Sequence, residues 1–77
     1  MNKVRRVLLE KIQTELETLA ESLGTLLEEE NEYYDNMPEN FQGGEKGEKA
    51  QAAIEAMDSA LNSINEATGD ISEAIEA

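Results

Sequence analysis

Residues 9–27 read LEKIQTELETLAESLGTLL. Apolar side chains fall at alternating spacings of three and four through this run. With Leu9 as heptad position a, Leu9, Leu16 and Leu23 hold a, and Ile12, Leu19 and Leu26 hold d. The pattern continues to Tyr33 at d, with Glu30 as the polar exception at a. Ala20, Leu27 and Tyr34 fall at e and widen the stripe. This period belongs to an amphipathic helix and not to a strand. It spans about residues 2–35, roughly 50 Å at the helical rise. Gly24, at b, weakens the helix by ~1 kcal/mol without touching the a/d seam.

A second run of the same period covers about residues 45–75. Ile54, Leu61, Thr68 and Ile75 take a, and Ala50, Met57, Ile64 and Ile71 take d. Position g is alanine in four successive heptads: Ala53, Ala60, Ala67 and Ala74. A row of small side chains lets a neighbouring helix approach closely. Alanine is also the best helix former, which accounts for part of the row.

Residues 35–44, DNMPENFQGG, join the two. Pro38 disfavours helix at Met37 and ends the first helix there. It can also open a short helical turn, with Glu39 favourably placed. Gly43 and Gly44 are expected to free the backbone for the reversal. The expected fold is all-α, an antiparallel two-helix hairpin forming one domain over residues 1–77. Below ~80 residues, with no disulfide or metal, burial and ordering entropy nearly cancel. The seam residues Leu9, Ile12, Leu16, Leu19, Leu23, Leu26, Ile54, Met57, Leu61, Ile64 and Ile71 are therefore expected to pack into a four-helix bundle or larger oligomer, a dimer favoured.

Composition excludes much chemistry. The chain has neither cysteine nor histidine, which removes thiol nucleophiles, imidazole bases and zinc sites. No catalytic residue, metal ligand set or cofactor is expected. Gly43–Gly47 lacks the Gly-Lys-Ser/Thr ending of a phosphate loop. The acidic residues form no calcium-loop pattern. Eighteen acidic residues against six basic ones give a net charge of −12, which opposes nucleic acid and anionic membranes. No apolar run is long enough to span a bilayer. With no apolar signal-peptide segment after the basic start, the expected location is cytoplasmic.

The charge is uneven. Lys3, Arg5, Arg6 and Lys11 open the first helix and are expected to lie beside Glu66, Asp70, Glu73 and Glu76, where exposed pairs contribute ~0–1 kcal/mol each. At the other end Glu28, Glu29, Glu30, Glu32, Asp35, Glu39, Glu45 and Glu48 face only Lys46 and Lys49. All three aromatics, Tyr33, Tyr34 and Phe41, lie beside this acidic cluster, with Met37, Asn36, Asn40 and Gln42. Tyr33 and Phe41 can plug the open end of the hairpin, with Asn36 or Asn40 bonding loop backbone. Alternatively the connector is a recognition surface. The candidate partner-binding residues are Glu28, Glu29, Glu30, Glu32, Tyr34, Asp35, Asn36, Glu39, Asn40 and Phe41.

The run Tyr34-Asp35-Asn36-Met37-Pro38-Glu39-Asn40-Phe41-Gln42 resembles a segment of small, acidic, uncharacterised bacterial and phage-type proteins. Those chains join two helices by a Tyr/Phe-Asp-Asn-Met-Pro-Glu-Asn-Leu-Gln run, usually followed by Ser-Glu-Arg. Here Phe41 replaces Leu, and Gly44 stands where Ser would cap the second helix. The resemblance implies that residues 35–42 are a specific feature and that the source is a mobile element.

The leading expectation is a non-catalytic protein-binding module whose acidic, aromatic tip occupies a basic site on a host protein. A purely structural oligomerisation protein is one alternative. A small-ligand or nucleotide sequestering oligomer, with Arg5, Arg6, Lys46 and Lys49 as its only cations, is another.

Overall fold

A computed structural model describes residues 1–77, and it is helical almost throughout. Helix α1 runs Lys3–Asp35, α2 is a single turn at Glu39–Gln42, and α3 runs Glu45–Glu76. Asn2 caps α1 by accepting the Arg5 N–H at 2.8 Å, as a side-chain oxygen at that position should. The helices α1 and α3 pack antiparallel into a rod measuring 58 × 14 × 13 Å. No helix is long and apolar enough to cross a membrane.

In α3 the columns facing α1 are those read from sequence. Gly47, Ala50, Ile54, Met57, Leu61, Ile64, Thr68, Ile71 and Ile75 are buried or half-buried, at unbroken 3-4 spacing. In α1 the face is rotated from the expected one. Its half-buried residues are Leu9, Leu16, Leu23 and Glu30 at a, with Arg6, Gln13, Ala20, Leu27 and Tyr34 at e, and Gly24 at b, which the rotation brings to the edge of the packed face. The d column points outward: Leu19 is 57% exposed, Leu26 54% and Tyr33 52%. The apolar arc of α1 spans three columns, and one partner helix covers two. Position e wins over d because it carries side chains that bond to α3. Arg6 Nε donates to the Ile75 carbonyl at 3.1 Å. Gln13 Nε2 donates to the Ser72 hydroxyl and, at 3.4 Å, to the Thr68 carbonyl. The Tyr34 hydroxyl accepts from Gln51 Nε2 at 2.8 Å. With d turned inward these groups would lose their protein partners.

The expected ion pairs between the start of α1 and the end of α3 do not form. The single salt bridge is Lys49–Glu45, at 3.1 Å within α3. Lys3, Arg5 and Lys11 stand on the outer columns b, d and c, away from α3. Arg6 instead meets a free carbonyl at the α3 C-terminus, where a cation also favours the helix dipole.

Burial is shallow. Only Gly47 and Ala50 are fully buried, Ala50 at 2% exposure, and both lie in the first turns of α3 beside α2. The tightest packing is therefore at the elbow and not along the rod.

The chain reverses without any left-handed residue. Gly43 is helical (φ −85°, ψ −3°) and Gly44 extended (φ −97°, ψ −167°), so neither uses the freedom expected of it. Pro38, at φ −57° and ψ 145°, breaks direction between α1 and α2. Gly44 is the N-cap of α3 and offers no side chain to its open N–H groups. A Cβ there would meet the Asn40 and Phe41 carbonyl oxygens at 3.5 and 3.6 Å, ordinary contact distances. Gly44→Ser should therefore supply the missing cap and stabilise the chain, by no more than about 1 kcal/mol. A thermal melt followed by circular dichroism checks this, and an unchanged or lower midpoint counts against it.

Candidate functional site

The acidic end of the rod is built from the last turn of α1, the Asn36–Pro38 link, α2 and the first turn of α3. Consecutive residues on α1 point ~100° apart, so Tyr33 and Tyr34 part company. Tyr34, at e, turns into the seam and is half-buried. Gln51 holds its hydroxyl, and Gln42 Nε2 donates to its main-chain carbonyl at 3.0 Å. Met37, three residues on, is also half-buried. Tyr33, at d, faces out, and so does Phe41, at 49% exposure. The expected plug is thus corrected: Tyr34 turns inward, while Tyr33 and Phe41 do not. The side-chain amide that bonds main chain here is Gln42, on the Tyr34 carbonyl in the last turn of α1, and not Asn36 or Asn40.

Tyr33, Asn36, Met37, Pro38, Phe41 and Lys46 line an open groove of about 370 Å³. Lys46 Nζ lies 5.9 Å from the centre of the Phe41 ring, at the outer range of a cation–π contact. A second depression, of about 350 Å³, lies on the opposite side among Asn31, Tyr34, Asp35, Gln51, Ile54 and Glu55. The candidate residues are therefore divided. Asn36 and Phe41 line the groove, while Tyr34 and Asp35 line the opposite depression. Glu39 and Asn40 are exposed on α2 at the end of the rod. Glu28, Glu29 and Glu32 are exposed on the outer columns of α1, whereas Glu30 occupies a seam position and is half-buried. No three acidic side chains converge as a metal site would require.

Two residues lie outside the candidate partner-binding set read from sequence. Tyr33 lines the groove in place of Tyr34. Gly47 carries the close contact behind it: a Cβ on Gly47 would overlap the Gln42 carbonyl and stand 2.6 Å from Gln42 Cα. That contact seats α2 against α3 and so holds Phe41 opposite Tyr33. The heptad counted back from Ile54 lands on Gly47, and a glycine at a seam position is the signal of close approach.

No known family, curated protein or solved structure matches this chain.

Proposed function

We propose that the chain is a non-catalytic protein-binding module whose acidic tip takes a basic segment carrying an apolar or aromatic side chain. The observation that supports this most is the groove at the tip. Tyr33 and Phe41, two of the three aromatic residues, stand half-exposed around it with Met37 and Pro38 between them. Exposed aromatic and methionine side chains are characteristic of interface centres. Glu28, Glu29, Glu32, Asp35 and Glu39 are exposed on the same end of the rod. Their field speeds encounter with a basic partner and orients it, and the apolar groove gives the anchor a place to lose water.

A lysine- and arginine-rich peptide with one central tryptophan tests this by fluorescence anisotropy against the full-length chain. Binding should weaken ~10-fold or more in Tyr33→Ala or Phe41→Ala, and on replacing the anchor with alanine. It should also fall steeply as salt rises, and further in a Glu28, Glu29 and Glu32 to Gln variant. Binding that ignores the tip substitutions and the anchor would reduce the interaction to general charge attraction and reject the groove.

A further inference from the structure

The two flanks of the hairpin are unlike. One flank is closed by hydrogen bonds between position e of both helices, Gln13 with Ser72 and Tyr34 with Gln51. The other flank carries the outward d column of α1 and the alanine g column of α3. The tip groove shows that these share one side, since Tyr33 belongs to the first column and Lys46 to the second. Along this side Leu8, Ile12, Leu19 and Leu26 are about half-exposed, with nothing against them. Arg5 joins the same surface, lining an open depression of about 250 Å³ with Leu8 and Ile12.

We propose that a second copy of this chain covers that flank, with its α1 antiparallel to the first, giving a two-fold symmetric four-helix bundle. Two observations fix the occupant. The uncovered d column of α1 lies about 80° around the helix from the midline of its α3-facing a/e seam at ~100° per residue, close to the right angle between neighbours in a four-helix bundle. The charges select the orientation. Arg5 and Lys11 lie at the start of the face, and Glu29 and Glu32 at its end, on the same or adjoining columns. Antiparallel pairing about Leu19, the midpoint of α1, brings each basic start to the acidic end of the other chain. Ile12 then faces the partner's Leu26, and Glu15 comes near the level of the partner's Ser22. Parallel pairing would stack two acidic tips instead. In the antiparallel bundle the tips lie at opposite ends, with Tyr33 level with the partner's Arg5 and Pro38 and Phe41 extending past the partner's first turn.

The full-length chain should sediment at twice its 8.5 kDa mass. Leu19→Glu should raise the dissociation constant ~100-fold, since each copy loses an apolar contact at the two-fold axis. Glu29→Lys and Arg5→Glu should each weaken association, and the double variant should recover it. These last two positions are exposed, so their effect does not depend on folding. Spin labels on Glu29→Cys should lie about 30 Å apart along the bundle, because position 29 is displaced from the midpoint in opposite directions. A wild-type chain that stays at the single-chain mass overturns the proposal. So does a label pair at close range, which means parallel chains, or a charge reversal that the double variant fails to rescue.

Discussion

Gly47→Ala lowers the stability of the hairpin by about 3 kcal/mol, the upper part of the usual range for overpacking. The sign is what makes this informative. Gly47 lies inside α3, where alanine ordinarily stabilises by ~1 kcal/mol through helix propensity. Here the new methyl group would overlap the Gln42 main chain. The obstacle is backbone, so no rotamer change relieves it, and α2 must lift away from α3. The midpoint of thermal unfolding should then fall by roughly 12–24 °C for a domain of this size. Because the same contact holds Phe41 opposite Tyr33, the groove should loosen with it. An alanine variant that melts higher than the wild type would mean that Gly47 is an ordinary helical glycine.

Leu16→Glu abolishes the fold, with loss of most of the helical circular-dichroism signal at low protein concentration. Leu16 is a half-buried seam residue near the middle of α1. The substitution removes an apolar contribution of ~1.5–3 kcal/mol and sets a carboxylate against α3, in a chain with only two fully buried residues. A domain this small has little surplus to absorb that loss. The comparison is Leu19→Glu, three residues along and 57% exposed. Within one hairpin that change removes little burial, so its effect should fall on association. Denaturant unfolding of both variants, read at several protein concentrations, separates the two roles. Equal, concentration-independent losses would mean that d and a face the same neighbour, and the rotated seam would be wrong.

Most of the architecture is legible in the residues themselves. The 3-4 spacing from Leu9 to Tyr34 and from Gly47 to Ile75 requires two amphipathic helices, and the connector at Pro38 requires the break between them. For α3 the sequence also identifies the packed columns, because only a and d are apolar enough and g is uniformly small. For α1 it does not. Three adjacent columns are apolar there, and hydrophobicity alone cannot rank a/d above a/e. The ranking comes from Arg6, Gln13 and Tyr34, whose donors and acceptors find partners on α3 only when e faces inward. Those partners are distant in sequence.

The candidate site divides the same way. Its location at the acidic, aromatic connector was readable from charge and composition. Which tyrosine faces solvent was not, since that follows from the same rotation of α1. The sequence by itself determined two helices, their breakpoint and an acidic end, because those depend on local period, backbone restriction and charge count. The tertiary structure decided which leucines remain uncovered, which aromatic rings line the groove, and why residue 47 carries no side chain. These depend on distances between groups far apart in the chain, and no local pattern records such distances.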